Sequence, residues 1–332
     1  MKKFLFLLLL TLLLSGCADS EALVQSESTA PSAEAITTPP ATLETIPAEA
    51  MESEAAALIQ EVIPPVSVIL KPEAPGIAEA RCDDGVIDYS NVSDGYIMVK
   101  YLGQTDRRLK VLLKGPTTTY QYDLPQGEWI VLPLSDADGA YQAGIYRNVE
   151  GSKYALVMTA DFEVTLADEF APFLRPNQYV NYLDAPQTVE LGAQLCTGLE
   201  HPLEKVAAVY DYVVQNLSYD KEKAATVKSG YLPVLDEVLE KKTGICFDYA
   251  TLMTAMLRSQ EVPCKLVVGY AGSTYHSWIS VWTEEDGWVD GVIFFDGHIW
   301  KRMDPTFASS ADNSSEILDF IEHGTYTVKY LY

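Results

Sequence analysis

The sequence has few of the residues from which metal sites and disulfide frameworks are built. It contains five cysteines and four histidines among 332 residues, and no two cysteines form a Cys-x-x-Cys pair. A zinc site needs several such ligands at short spacings, and a disulfide scaffold needs its cysteines in pairs. We therefore expect no metal or other cofactor and no disulfide scaffold, although a bridge between Cys82 and Cys196 stays open.

Basic residues are also scarce. The chain has 23 lysines and arginines against 47 aspartates and glutamates, which gives a formal net charge of −24. Such a chain repels phosphate backbones, so we do not expect a nucleic-acid partner. Hydrophobic residues nevertheless make up 48% of the sequence. That share supports real cores, and the length suits two ordinary domains with additional segments.

The apolar stretch at the N-terminus is too short for a stable membrane span. Residues 4–14 are almost entirely apolar and follow Lys2 and Lys3, as in the core of a signal peptide. The stretch ends in Leu-Ser-Gly-Cys17, which resembles the lipobox of bacterial lipoproteins. The resemblance implies a signal peptide at residues 1–16 and a Cys17 that carries palmitate-type acyl chains. These would anchor the chain in the lipid bilayer, on the extracytoplasmic face of a bacterial membrane. The alternative is an ordinary secretory cleavage site that contains a cysteine.

Residues 17–78 have the composition of a linker. They are rich in Ala, Ser, Thr, Glu and Pro and carry a single base, Lys71. Such a segment buries too little apolar surface to fold, and its acidic residues repel one another. We interpret it as a disordered acidic tether.

Residues 79–166 have the pattern of short strands. Alternating apolar and polar segments are separated by turn signals such as Gly115-Pro116 and Asp138-Gly139. Six or seven strands at this spacing predict an antiparallel β-sandwich domain. Its many tyrosines leave open a sugar-binding face, beside the more frequent role of tyrosine as a half-buried strand residue. The predicted strands are 96–101, 109–114, 118–122, 129–132, 141–146 and 154–158.

Residues 167–332 are predicted to form helices first and an antiparallel sheet afterwards. Apolar periodicity indicates the helices, and Asp-Gly pairs between later segments indicate hairpins. This order is typical of an α+β domain, which is the fold class we predict. The predicted helices are 202–217, 233–240 and one that begins at Cys246, and the first two strands are 265–270 and 276–282.

The segment Gly-Ile-Cys-Phe-Asp-Tyr-Ala at 244–250 places Cys246 at the start of a buried helix. Unpaired N–H groups and the positive end of the helix dipole favour the thiolate there, and the same N–H groups can hold an oxyanion. Gly244, without a side chain, would let a substrate carbonyl approach. The alternative is a free cysteine packed at a helix start.

A cysteine nucleophile needs a base, and the base needs a group that orients it. His276 begins one predicted strand and Asp304 ends another, and such positions can lie side by side in an antiparallel pair. We therefore combine Cys246, His276 and Asp304 as a candidate triad. His298 is the rival base, but its position at a hairpin tip favours a solvated role.

Three motifs together resemble the signatures of the transglutaminase-like branch of the papain-like cysteine superfamily. They are the Cys246 segment, His-Ser-Trp at 276–278 and Met-Asp-Pro-Thr-Phe at 303–307. The resemblance implies a papain-like core in which the three candidate residues act as nucleophile, base and orienter. It also implies supporting roles for Trp278 and for Tyr219, an aromatic residue upstream of the cysteine.

The sequence departs from this family just after Trp278. Ile279 and Ser280 stand where the family often has Asn-Glu. These positions lie beyond the candidate triad, so the departure concerns the choice of substrate rather than the chemistry.

The activity that the resemblance implies is attack on amide or peptide bonds through a thioester. Water would resolve the thioester in a peptidase or deamidase, which are hydrolases, and an amine would resolve it in an acyltransferase. The substrate would be a protein or peptide, with cell-wall and surface proteins among the candidates. Two alternatives come from other classes: a catalytically silent adaptor that binds cell-wall or surface protein, and a secreted sugar-binding module built on the sandwich.

Overall fold

The computed structural model describes residues 66–290, the backbone of 293–295 and 300–302, and residues 325–332. The described residues all belong to one compact unit, Glu61–Tyr332. Cys17, His298 and Asp304 lie outside the described residues, together with the predicted signal peptide and most of the predicted tether. The assignments made to them stay predictions, as do the domain boundaries at 78/79 and 166/167.

Eight strands make up the first half of the described chain. They form two four-stranded antiparallel sheets, with orders β1-β2-β3-β6 and β5-β4-β7-β8. The longest strands of the second sheet are β7 and β8, which form a hairpin with a turn at Gly151. The strands are β1 Glu79–Cys82, β2 Gly85–Asp88, β3 Tyr96–Tyr101, β4 Leu109–Lys114, β5 Thr119–Asp123, β6 Trp129–Pro133, β7 Gly139–Glu150 and β8 Lys153–Val164.

The strand tyrosines largely line the core between the sheets. Tyr101 and Tyr122 are completely buried, and Tyr120 and Tyr141 are nearly so. Burial of an aromatic ring contributes to stability through its large apolar area, and a buried ring cannot stack on a sugar. A sugar-binding face made of these four tyrosines is therefore wrong.

The described residues of the second half contain five α-helices. Proline occupies the first turn of α1 and α2, where its missing N–H is not needed. The last helix is buried along its length from Asp248 to its end. Nowhere in the described ranges is a helix both long and apolar enough to cross a bilayer. The helices are α1 Pro186–Leu195, α2 Pro202–Asn216, α3 Lys221–Thr226, α4 Leu235–Lys241 and α5 Cys246–Arg258.

A mainly antiparallel set of strands accompanies these helices, which confirms the α+β class. The main sheet has the order β13-β12-β11-β16, and α5 packs against β11 and β12. Two short parallel strands, β9 and β10, lie just before α5. The strands are β9 Ser218–Tyr219, β10 Thr243–Gly244, β11 Cys264–Ala271, β12 Thr274–Thr283, β13 Gly287–Asp290, β14 Ile293–Phe295, β15 Trp300–Arg302 and β16 Tyr326–Leu331.

One continuous hydrophobic core joins the two halves. The same buried cluster contains Val111 and Tyr122 of the sandwich, Met253 of α5 and Leu266 of β11. Tyr332 links them, because its ring lies 6.0 Å from that of Tyr122. The sandwich therefore shares part of its core with the helical half.

The end of the predicted tether is packed against this body. The N–H of Val68 donates to the oxygen of Ser259 (2.9 Å), and the N–H of Gly76 donates to Asp88 (2.7 Å). Residues 66–78 thus contact both halves, and their assignment to a disordered segment is wrong. The prediction rested on the average composition of residues 17–78. That average does not show that the last part of the segment begins with the mostly apolar sequence Val-Ser-Val-Ile-Leu at 66–70.

Candidate active site

Cys246 is the first residue of α5 and is half-buried. The residue before it, Ile245, is extended and its oxygen accepts the first helical hydrogen bond, from the N–H of Tyr249 (3.1 Å). The first-turn N–H groups of a helix have no partner within the helix, and they carry its positive partial charge. The thiol is thus held where an anion is stabilised, and it is accessible to solvent.

A buried carboxylate, that of Asp248, lies two residues after Cys246 in the first turn of α5. Asp248 is completely buried and accepts from the N–H of Ile245 (2.7 Å), so its carboxylate caps the N-terminus of α5. It also accepts from Lys223 Nζ (2.7 Å) and from the hydroxyl of Tyr231 (2.5 Å). The sequence motif contains this aspartate but does not indicate its role.

The packing of Asp248 explains why residue 244 is a glycine. A Cβ at this position would lie 2.7 Å from the Asp248 Cβ and 3.0 Å from its Oδ2. The space that a side chain at this position would need is therefore occupied by Asp248. Gly244 lets this carboxylate pack against the loop, and its supporting role at the site stays a prediction.

Tyr219 is brought to the site by the parallel pair β9–β10. Its register partner is Gly244, and the N–H of Asp220 donates to the oxygen of Gly244 at 2.9 Å. The backbone of Tyr219 therefore lies beside the loop that precedes Cys246. The two segments are distant in the chain, since the hydroxyl of Ser218 donates to the oxygen of Lys242, 24 residues later. The supporting role that the family resemblance implied remains a prediction.

His276 lies on β12. The helix α5 packs against both β12 and its neighbour β11. It is buried, its register partner is Gly269, and its ring stacks on Trp278 at 6.2 Å. A Cβ at Gly269 would collide with the Trp278 ring and with the main-chain oxygen of Thr327. Trp278 thus packs over a glycine and holds one side of the histidine.

Alternation along β12 divides its residues between two faces of the sheet. Ile279 shares a core with α5, so Tyr275 and Ser277 belong to the face that the helix covers. His276 and Trp278 alternate with them, so alternation alone does not bring the His276 ring to the thiol, and its assignment as the base stays a prediction from the motif. Burial raises the pKa of Tyr275, and Tyr330, Tyr270 and Cys246 raise it further. Tyr275 is 55% exposed, so it is an accessible neighbour of the thiol that the sequence did not indicate.

The other described cysteines are free and differ from Cys246 in their surroundings. Burial raises the pKa of the Cys196 thiol and of the Cys264 thiol to about 11 each. Cys82 is half-buried beside the sulfur of Met158 (3.7 Å). Since Cys82 and Cys196 are both free, the bridge left open between them is absent. Within the described ranges no group of His, Cys, Asp and Glu side chains could hold a metal ion.

Ile279 and Ser280, where the sequence departs from the family, are both buried in the sheet. The departure therefore changes the packing of β12. It does not place a different side chain on an accessible surface.

Comparison with known proteins relates part of the chain to a known superfamily. Residues 189–290 match the model of the transglutaminase-like superfamily, a range that contains Cys246 and His276. The chain carries a transglutaminase-like domain. Residues 1–18 of this transglutaminase-like protein match the prokaryotic membrane lipoprotein lipid attachment site, so the chain is a membrane-anchored lipoprotein.

Two curated relatives share the segment around the site. The uncharacterized protein YebA of Bacillus subtilis is 28% identical over 134 residues, which is 34% of this chain and 18% of the relative. A protein-glutamine gamma-glutamyltransferase of Pseudomonas aeruginosa is 26% identical over 119 residues, which is 31% of this chain and 17% of the relative. The transglutaminase-like protein thus spans less than a fifth of the length of either.

Solved structures with a similar chain path include a candidate cysteine protease from Cytophaga hutchinsonii and red sea bream transglutaminase. The first has a TM-score of 0.36 and 13% identity, and the alignment covers 71% of this chain and 83% of that one. The second has a TM-score of 0.26 and 13% identity, with 70% and 56% covered.

Proposed function

We propose that this transglutaminase-like lipoprotein is a cysteine enzyme that acts on carboxamide or peptide bonds at the extracytoplasmic face of a bacterial membrane. Cys246 is the nucleophile, His276 the base and Asp304 the residue that orients it, while acylated Cys17 anchors the chain. The observation that carries the proposal is the half-exposed thiol at the first position of α5, inside the matched range.

The first step is attack of the Cys246 thiolate on the carbonyl carbon of the substrate. The carbonyl oxygen takes up negative charge, which N–H groups at the start of α5 can stabilise. The carbon–nitrogen bond then breaks, and the protonated base gives its proton to the leaving amine or ammonia. The product of this step is a thioester between the substrate acyl group and Cys246.

The second step decides between hydrolysis and transfer. Water as the second nucleophile releases a carboxylic acid, and a primary amine releases a new amide; each regenerates the thiol. The name of the Pseudomonas relative favours glutamine side chains as acyl donors. We therefore propose a protein or peptide glutamine as the first substrate to test, with transfer to an amine as the reaction.

The test is incubation of the full-length chain with glutamine-containing peptides, with and without a primary amine. A peptide mass raised by the amine less ammonia indicates transfer, and a glutamate product indicates deamidation. Cys246→Ala should lose the activity, and Cys82→Ala should keep it. Unchanged peptides with the wild-type chain, or equal activity of Cys246→Ala, would overturn the proposal and favour the silent adaptor.

A further inference from the structure

A small charged network contacts the residues on either side of the proposed nucleophile. Asp248 is completely buried, and its oxygens accept from the N–H of Ile245, from Lys223 Nζ and from the Tyr231 hydroxyl. Lys223 Nζ also donates to the Tyr231 hydroxyl at 2.7 Å and lies 4.3 Å from the centroid of its ring. The carboxylate, the ammonium and the phenol therefore contact one another.

Each partner is fixed by its own element. Lys223 belongs to α3, whose N-terminus is capped by Asp220 through a bond to the N–H of Lys223 (2.8 Å). Asp220 is in turn tied to the oxygen of Gly244. The ring of Tyr231 packs edge-on against Phe247, the residue after the nucleophile, at 6.4 Å. The network thus contacts the chain on both sides of Cys246.

A helix cap alone does not require this arrangement. A carboxylate at the third position of a helix caps the N-terminus by accepting from the N–H of the N-cap residue, and this bond needs neither an ammonium nor a phenol. A buried carboxylate without a counter-charge is costly, and its negative charge would oppose a second negative charge on a nearby sulfur. Burial and the bond to Asp248 raise the pKa of Tyr231, so the phenol stays protonated and donates.

We infer that Lys223 and Tyr231 are positioning residues: Lys223 neutralises Asp248 and Tyr231 donates a hydrogen bond to it, so that the positive end of α5 remains available to the Cys246 thiolate. The inference rests on the proposed function, since it assigns a task to groups around its nucleophile. Among the described residues, Tyr275 on β12 is a titratable neighbour of the thiol, and the backbone of Tyr219 lies beside the loop that precedes it. Lys223 is a cation in direct contact with Asp248, and its ammonium therefore balances the charge of that carboxylate.

The experiment measures how the alkylation rate of Cys246 depends on pH in the full-length chain, with iodoacetamide and peptide mapping. Lys223→Met removes the ammonium and keeps most of the stem. Loss of an opposite charge beside a carboxylate disfavours the thiolate, so labelling at pH 6 should become about tenfold slower. The pH profile should shift upward, and Lys223→Arg should restore most of the rate.

A second charge change separates electrostatics from packing. In Asp248→Asn with Lys223→Met, both charges are absent, and the pH profile should return towards that of the wild type. Lys221→Met, an exposed lysine on the same helix, is the matched control and should leave the profile unchanged. If Lys223→Met does not fold, as judged by far-UV circular dichroism, Lys223→Gln replaces it in the same comparison.

The outcomes distinguish this inference from the proposed function. A Lys223→Met profile that coincides with the wild type, even where the melting temperature falls, would overturn the inference and reduce the network to a structural cap. A shifted profile in a chain that leaves glutamine peptides unchanged would support the inference and overturn the proposed function.

Discussion

At the scale of single residues, the chemistry around Cys246 depends on partners that are distant in sequence. Asp248 meets Lys223 and Tyr231 across separations of 25 and 17 residues. The motif predicts where the cysteine lies, because helix periodicity and a preceding glycine are local features. The network around it could not be predicted, because neither partner stands in a recognisable spacing to Asp248.

The identity of the base is tested at neighbouring positions of one strand. His276→Ala should reduce turnover by about a hundred- to ten-thousand-fold, as loss of a general base does. Tyr275→Phe removes only a hydroxyl from the face that α5 covers and should keep most of the activity. Steady-state kinetics with a glutamine peptide and an amine measure both.

His298 is the alternative candidate for the base, and its substitution tests the assignment of His276. His298→Ala should retain most of the turnover. A dead His298→Ala beside an active His276→Ala would show that His298, and not His276, provides the base.

Lys265 gives a second test at the residue scale. Burial lowers the pKa of its amine to about 8, although Asp290 and Glu169 favour the charged form. The amine also lies 3.4 Å from the centroid of the Trp288 ring, a contact that favours the cation. NMR of methylated lysines should show Lys265 titrating near pH 8 and exposed lysines near 10.4.

The sign of the effect of Lys265 on stability follows from that shift. The folded state holds the amine proton less tightly than the unfolded state, so stability should rise with pH between about 8 and 10.4. Below about pH 8 the amine of Lys265 is protonated in both the folded and the unfolded state, so burial of its charge lowers the stability by its full amount. If Lys265 titrates with the exposed lysines, the aromatic contact outweighs burial.

At the scale of elements, α5 is held at both ends by side chains that the sequence did not reveal. Asp248 caps its first turn, and Arg258 ends it. Arg258 is buried and donates to the main-chain oxygens of Cys264 (2.9 Å), Arg175 (2.7 Å) and Tyr332 (2.6 Å). Burial lowers the pKa of Arg258 to about 10. The helix therefore fixes β11, the segment before α1 and the end of β16.

Replacement of that arginine should be one of the most destabilising single changes in the helix. Arg258→Met removes three buried hydrogen bonds to main-chain oxygens, of which that of Tyr332 keeps the N–H of Leu266 as a donor, and should lower the free energy of unfolding by about 2 to 4 kcal/mol. Urea unfolding measures the change. Lys241→Met removes an exposed pair with Glu237 and serves as the control, which should unfold as the wild type does. Equal midpoints for both variants would contradict the structural role of Arg258.

The elements themselves were predicted unevenly. Strands with clear alternation, such as β3 and β4, were found, while β1, β2 and α1 were missed. The helix α1 contains Gly192, which lowers its intrinsic propensity, and it packs closely on Met256 of α5. Its stability comes from that tertiary contact, which no local pattern contains.

At the scale of the whole molecule, residues 66–78 connect both halves. Asn91 donates to the oxygen of Glu73 (2.8 Å), and Gln260 donates to Ser67 (2.9 Å). A chain that begins at residue 79 should therefore melt several degrees below one that begins at 66, because those bonds are lost. Equal melting temperatures would show that this segment adds nothing to the fold. Differential scanning calorimetry gives the comparison.

The central claim is that Cys246 is an activated nucleophile, and a short alkylation of the folded full-length chain tests it most directly. At about pH 6, iodoacetamide should modify Cys246 first, because an ordinary thiol with a pKa near 8.5 is scarcely ionised there. Cys196 and Cys264, with the pKa of each raised to about 11, should react only after unfolding. Preferential labelling of Cys246 is the predicted result of peptide mapping. Labelling of Cys246 no faster than that of Cys82 would contradict the account.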